Sequence, residues 1–289
     1  MKIAIVADSS SGITQAEAKE LGVFIAPVPV LIDEDTFYED LTITQAQYYE
    51  KLRSDANVST SQPNPETVRD IWRECLKDNE AVIYVPISSG LSQTCHILAA
   101  ASKEDEFNGK VFVVDNHRVS VTQKQSVLDA LNMAKDGKTA QEIYDFLTET
   151  GKHSSIYITV STLKYLKKSG RLTPAVAAIG TLLKIKPVLQ IHGGVLDQYA
   201  KVRKMSDAKA TMLNAIKHDL QTDFKEFADA GKMVIAVAHT DCPDEAEKFK
   251  NEILSEFPNV EFSYISPLSL SVASHIGPDS LAIACSIKY

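Results

Sequence analysis

The chain has 289 residues, of which 44% are hydrophobic and 24% charged, and its formal net charge is -8. This composition is typical of a globular protein with two domains, and the acidic balance excludes a basic face for nucleic acid. Met1-Lys2 is too lightly charged for a secretory signal and no window approaches about 18 uninterrupted apolar residues, so we expect a cytoplasmic protein without an integral membrane segment.

The first half of the chain alternates predicted strands with predicted helices. Compact apolar runs typical of buried strands occupy residues 2–7, 81–85 and 110–114. A capping box at Thr14 opens one helix, and further helices are predicted over residues 44–53, from residue 64, and over residues 92–102, 119–135 and 139–150. This alternation predicts an α/β domain with a doubly wound, mainly parallel sheet and a ligand site at the carboxyl ends of its strands.

The predicted strands and helices follow a different order in the second half, which predicts a mixed-sheet α/β domain. A strand over residues 156–160 precedes short helices over 162–169 and 174–183. Gly193-Gly194 marks a hairpin, and a long amphipathic helix is predicted over 206–228. A strand over residues 281–287 closes the chain. We place the boundary after Lys152, which gives an N-terminal domain of residues 1–152 and a C-terminal domain of residues 153–289.

Short segments rich in small hydrogen-bond donors recur far apart in the chain. Residues 60–63, 88–94 and 274–278 each crowd hydroxyl or imidazole side chains next to Gly or Pro. None of them contains Arg or Lys, which argues against a multiply charged phosphate and favours a single carboxylate as the ligand. The four cysteines lie singly, which indicates neither a disulfide framework nor a zinc site.

Five short motifs follow one another along the chain, at residues 60–63, 88–92, 166–172, 182–189 and 275–278. Through these motifs the chain resembles, over nearly its whole length, the DegV family of bacterial fatty-acid-binding proteins. The resemblance implies a protein without a cofactor that encloses one long-chain fatty acid between its domains. It further implies the acyl-carrying subunit of fatty acid kinase, in which a separate ATP-dependent kinase phosphorylates the bound carboxylate for phospholipid synthesis.

The family's motif positions imply a role for six residues of this chain. Thr60 and Ser92 would hydrogen-bond the carboxylate, Ser61 and Ser89 would lie close by, and His275 would supply a further donor. Arg171 would serve kinase docking or contact the phosphoryl group. The acyl tail would lie against residues 28–31, 176–179 and 182–183, although each run is equally typical of an ordinary core.

Two positions of the chain depart from the family pattern. Gln93 stands where the family usually has Gly, and Asp279 follows Gly277-Pro278 where small residues are usual.

A free-standing hydrolase or acyltransferase would use Ser89 or Ser92 as nucleophile and His275 as base, but the Gly-x-Ser-x-Gly elbow is missing. A nucleotide-binding kinase would need a Gly-rich phosphate loop with its Lys, which the sequence does not contain.

Overall fold

The described residues form two compact units. The computed structural model describes residues 2–54, 56–171, 185–192 and 194–289. The N-terminal unit comprises Met1–Lys152 with Ser269–Ser271 and Tyr289, and the C-terminal unit comprises His153–Leu268 and Val272–Lys288. The helix predicted over residues 174–183 lies outside the described residues.

Strands of the N-terminal unit form a parallel and an antiparallel sheet within the described part of the chain. In chain order they are β1 (Ile3–Asp8), β2 (Phe24–Ala26), β3 (Val30–Ile32), β4 (Asp35–Phe37), β5 (Val58–Thr60), β6 (Ala81–Val85) and β7 (Val111–Val113). The parallel sheet has the order β2-β1-β6-β7, which confirms the predicted mainly parallel sheet. The antiparallel sheet has the order β4-β3-β5. Because β2 and β6 flank β1, the parallel sheet has a topological switch point between β1 and β6.

Helices of the N-terminal unit supply the apolar side chains that cover the parallel sheet. In chain order the described helices are α1 (Gln15–Leu21), α2 (Gln45–Arg53), α3 (Pro65–Asp78), α4 (Thr94–Ala101), α5 (Ser120–Lys135) and α6 (Ala140–Thr150). Ile5 and Ile83 belong to a buried cluster with residues of α5 and α6. Val6 and Tyr84, their neighbours along the strands, belong to a second cluster with Trp72 of α3. Since successive strand residues point to opposite faces, both faces of the sheet are buried.

Strands of the C-terminal unit form one mixed sheet among the described residues. In chain order they are β8 (Ser154–Thr159), β9 (Lys186–His192), β10 (Val195–Val202), β11 (Met233–Thr240), β12 (Glu261–Pro267) and β13 (Ser280–Ile287). Their order in the sheet is β10-β9-β8-β13-β11-β12. The β11/β12 pair is parallel and the other pairs are antiparallel, which confirms the predicted mixed sheet. The predicted hairpin joins β9 to β10, with Val195 opposite His192.

The long helix predicted over residues 206–228 is wrong in its second part. The remaining described helices are α7 (Lys164–Ser169), α8 (Met205–Gln221), α9 (Lys225–Asp229), α10 (Pro243–Glu256) and α11 (Leu270–Ile276). Thr222 ends α8, and its Oγ1 donates to the backbone oxygen of His218 at 2.8 Å, a local bond that competes with helix continuation. The break also buries Phe224, which is 1% exposed in the core of this unit.

None of the helices in the described part of the chain has both the length and the apolar character that crossing a membrane requires.

Candidate functional site

Asp8 joins the two chain segments that leave the switch point of the parallel sheet. It is the last residue of β1 and its side chain is fully buried. Its Oδ2 accepts a hydrogen bond from Ile87 N at 2.8 Å, and its Oδ1 accepts from Ser10 N at 3.0 Å and from Gln123 Nε2 at 3.1 Å. The segment after β1 and the segment after β6 are therefore tied together at the sheet edge where open α/β sheets bind ligands.

The serine loop, residues 88–92, follows this tie directly. Ser88 N donates to Arg118 O at 2.9 Å, which fixes the start of the loop. Leu91 N and Ser92 N both donate to Ser88 O, and Gly90 N donates to Ser88 Oγ at 3.1 Å. Ser88 is buried at the centre of these bonds, whereas Ser89 and Ser92 are half-buried. Ser88 therefore stabilises the loop itself, whereas Ser89 and Ser92 are the more accessible serines of the loop.

Ser92 lies just before a helix rather than inside it. The prediction that helix α4 begins at Ser92 is wrong, because α4 begins at Thr94 and Gln93 occupies the N-cap position without a side-chain cap. Ser92 Oγ lies 2.9 Å from Thr94 Oγ1 and accepts from Thr94 N at 3.3 Å. Gln93 is exposed. The Ser92 and Thr94 hydroxyls form a pair that can present one O–H to an anion while the other supports it.

Ser89 is held by two residues that follow β7. Its backbone N–H donates to Asp115 Oδ1 at 3.3 Å, and its Oγ lies 3.5 Å from His117 Nδ1. The same His117 nitrogen lies 3.5 Å from Asp115 Oδ1. In a nucleophile–base–acid triad opposite ring nitrogens face the serine and the carboxylate, so this arrangement is not that of a serine hydrolase. Neither Asp115 nor His117 belongs to a predicted motif, although a polar run after the apolar strand β7 is a signal for the same sheet edge.

Thr60 and Ser61 lie on a different element of the N-terminal unit. Thr60 ends β5 and pairs with Val30 of β3. Ser61 N donates to Pro29 O at 3.3 Å, and its exposed hydroxyl donates to Gln62 O at 3.3 Å. The structure thus brings Ser89 and Ser92 together on one loop and Thr60 and Ser61 together at a strand end. That the two pairs converge on one carboxylate stays a prediction.

His275 and Arg171 both belong to the C-terminal unit. His275 lies in the last turn of α11, and burial together with the Arg171 cation lowers the pKa of its imidazole to about 4. The imidazole is therefore neutral near pH 7. Arg171 is exposed, and its Nη1 donates to the backbone oxygen of Ser169 at the end of α7. The Arg171 cation is close enough to His275 to contribute to the lowered pKa of its imidazole.

Glycine is required immediately after α11. Gly277 has a φ of 84°, in the left-handed region that disfavours other residues. A Cβ at this position would collide with the ring of Tyr165 in α7. The turn that follows His275 is therefore packed against the helix that leads to Arg171. Asp279 is exposed.

The predicted lining of the acyl tail is described only in part. Val28 and Val30 are buried, at 7% and 0% exposure. The runs over residues 176–179 and 182–183 lie outside the described residues.

Comparisons with known proteins identify relatives over the full chain. The sequence model of one protein family, described as uncharacterised proteins of the DegV family, matches residues 2–288. A DegV domain-containing protein of Halalkalibacterium halodurans is 31% identical over 289 residues, which cover 99% of each chain. A DegV family protein of Thermus thermophilus, whose structure describes fatty acid binding, has a TM-score of 0.88 and 28% identity over 99% of this chain and 100% of its own. DegV of Bacillus subtilis, a fatty acid binding protein, has a TM-score of 0.86 and 28% identity over 100% of both chains.

Proposed function

This chain belongs to the DegV family, and from that premise we propose that it binds one long-chain fatty acid as a carrier and not as an enzyme. Fatty acid binding is a property of DegV family proteins, as the Thermus thermophilus and Bacillus subtilis structures show. The observation that carries the proposal is the agreement of the fold with the Thermus thermophilus protein, a TM-score of 0.88 over 99% of this chain.

The donors at the candidate site suit the carboxylate of a fatty acid. A carboxylate that leaves water needs several hydrogen bonds to offset its desolvation. Ser89 and Ser92 lie together on the serine loop, and we assign them to the carboxylate with Thr60 and Ser61. His275, neutral near pH 7, would donate one N–H without adding a buried cation. These residues belong to both units, and the placement of the fatty acid between the units stays a prediction.

We further propose that the chain presents the bound carboxylate to a separate ATP-dependent fatty acid kinase. Formation of an acyl phosphate needs a nucleotide site, and the sequence does not contain the Gly-rich phosphate loop with its Lys. The exposed guanidinium of Arg171 is close enough to influence His275, and a planar bidentate donor suits a phosphoryl group. We therefore assign Arg171 to kinase docking or to phosphoryl contact.

The proposal predicts that protein purified from a bacterial host carries about one long-chain fatty acid per chain, since each buried methylene of the tail contributes about 0.8 kcal/mol. Purified protein is denatured and extracted, and the released lipid is identified and quantified by mass spectrometry. Delipidated protein should also take up added labelled fatty acid and should not hydrolyse an acyl ester. Extracts without stoichiometric lipid, combined with no uptake, contradict the proposal, whereas turnover of the ester without a partner would favour the hydrolase.

A further inference from the structure

The Asp8 carboxylate is completely buried at the switch point. Its side chain is 0% exposed, although a carboxylate is among the most costly groups to bury. Burial raises the pKa of Asp8, and the hydrogen bonds from Ile87, Gln123 and Ser10 oppose that rise. Ile87 N, Ser10 N and Gln123 Nε2 all donate to the carboxylate. Three N–H donors on its two oxygens fit a side chain that acts as an acceptor here.

The partners of Asp8 lead directly to the serine loop. Ile87, whose N–H binds Oδ2, immediately precedes Ser88. Gln123 Nε2, which binds Oδ1, also donates to Val85 O at 3.0 Å, the last residue of β6. Asp8 and Gln123 therefore clamp the chain on both sides of Pro86, at the point where it leaves the sheet. The clamp therefore holds the point from which the serine loop leaves the sheet.

We propose that Asp8 is a positioning residue for the fatty acid carboxylate, acting through Ile87 and Ser88 to set the directions of the Ser89 and Ser92 hydroxyls. The inference rests on the proposed function, because it assigns a role to a residue behind the proposed donors. Hydrogen bonds to a charged acceptor depend steeply on angle, so a small rotation of the loop weakens them. The acyl tail, in contrast, has no directional contacts.

The chemistry of the clamp suggests a variant that folds and still disturbs it. Asp8→Asn keeps the size of the side chain but turns one acceptor into a donor. Gln123 Oε1 is buried and has no hydrogen-bond partner among the described residues, so Gln123 can rotate its amide and accept from the new donor. The rotation withdraws Nε2 from Val85 O and so removes the side-chain hydrogen bond at the end of β6. The variant thus exchanges the clamp for a local bond and sets the new NH2 group against one backbone donor, Ser10 N or Ile87 N, without leaving a charge buried and unpaired.

The experiment compares a fatty acid with an alcohol that has the same tail. Palmitate and hexadecanol are titrated into delipidated wild type, Asp8→Asn and Gln123→Met, and folding is checked by circular dichroism. We expect Asp8→Asn to weaken palmitate binding about tenfold and hexadecanol binding less than about twofold, since the clamp acts on donors to a charged head group. Gln123→Met removes one donor from Asp8 and should shift the same ratio by about threefold. Asp35→Asn, an exposed acid of β4, is the control and should change neither affinity.

The ratio of the two affinities decides between positioning and simple structural support. An equal loss for palmitate and hexadecanol, or no loss, overturns the role of Asp8 while fatty acid binding stands. If Asp8→Asn does not fold, the ratio for Gln123→Met decides. Failure of the wild type to bind palmitate refutes the proposed function, and the positioning role falls with it.

Discussion

At the residue scale, the low pKa of His275 determines the protonation state in which its imidazole would meet a ligand. Burial is the larger cause and the Arg171 cation the smaller, and together they lower the pKa to about 4. The free protein therefore holds a neutral imidazole, which costs little to bury. A carboxylate placed beside it would favour the protonated form and raise this pKa again.

The first residue-scale prediction concerns the donors themselves. Thr60→Val, Ser92→Ala and His275→Ala each remove a donor to a charged acceptor, worth roughly 1.5 to 3 kcal/mol at a dry site. Each variant should bind fatty acid about 10- to 150-fold more weakly and keep its fold. Affinities are measured on delipidated protein, with circular dichroism to follow folding. Thr36→Val, an exposed hydroxyl in β4, is the matched control. Unchanged affinity in all three variants would show that the carboxylate binds elsewhere.

At the element scale, apolar patterns predict most strands and helices because burial follows local periodicity. The buried strands β1, β6 and β7 and the capped helices α1, α2 and α6 lie where the sequence predicts them, within a few residues. The apolar pattern does not predict the end of α8, because Phe224 is apolar and continues the apolar face of the helix. At the break Thr222 bonds back to the helix and Phe224 packs into the core of the C-terminal unit, and only the first of these is local in sequence.

The elements of the site could be predicted better than their contacts. Ser89 and Ser92 stand out in sequence because Ser and Gly crowd after a buried strand. Asp115 and His117 are distant in sequence from Ser89, and only the parallel pairing of β6 with β7 brings these strand ends together. Asp8 lies 79 residues before Ile87, and no local pattern reports that bond. Side-chain contacts across strands depend on tertiary register, which single-sequence periodicity does not contain.

The start of α11 gives a prediction at this scale. Glu39 accepts from Leu270 N, the first residue of α11, at 2.8 Å and from Gln45 Nε2 at 2.9 Å. Burial is the main cause that raises the pKa of Glu39 from 4.5 to about 7. The native state thus holds this proton more tightly than the unfolded state, and stability falls as pH rises from about 4.5 through 7. In the wild type the titration of Glu39 should lower the free energy of unfolding by roughly 3 kcal/mol over this pH range, and Glu39→Gln should abolish that decrease.

The measurement is urea unfolding of wild type and Glu39→Gln at pH 4.5, 6 and 8. The free energy of unfolding should decline with pH more steeply in the wild type than in the variant. Glu34→Gln, an exposed acid nearby in the chain, should follow the wild type. Parallel curves for all three proteins would show that Glu39 titrates normally.

At the scale of the whole molecule, the charge distribution bears on the proposed contact with a kinase. The formal net charge is -8, yet Lys167, Lys168 and Arg171 cluster at the end of α7 and just after it. Cations favour a helix C-terminus in any protein, so the cluster has a purely structural explanation. A basic spot on an acidic surface also steers an acidic partner or a transferring phosphate. The two explanations differ in what Arg171 does for the reaction.

The last prediction tests Arg171 in the transfer step. Arg171→Ala should retain bound fatty acid and lose most ATP-dependent acyl phosphate formation with the cognate kinase, because phosphate loses a planar bidentate donor. Arg171→Lys should recover only part of the rate, since an ammonium restores the charge but not the planar pair of donors. Lys168→Ala, at the penultimate residue of α7, tests whether charge alone suffices. Occupancy and phosphorylation are measured on the same preparation of each variant. Full phosphorylation of the fatty acid carried by Arg171→Ala would reduce Arg171 to a charge that stabilises the end of a helix.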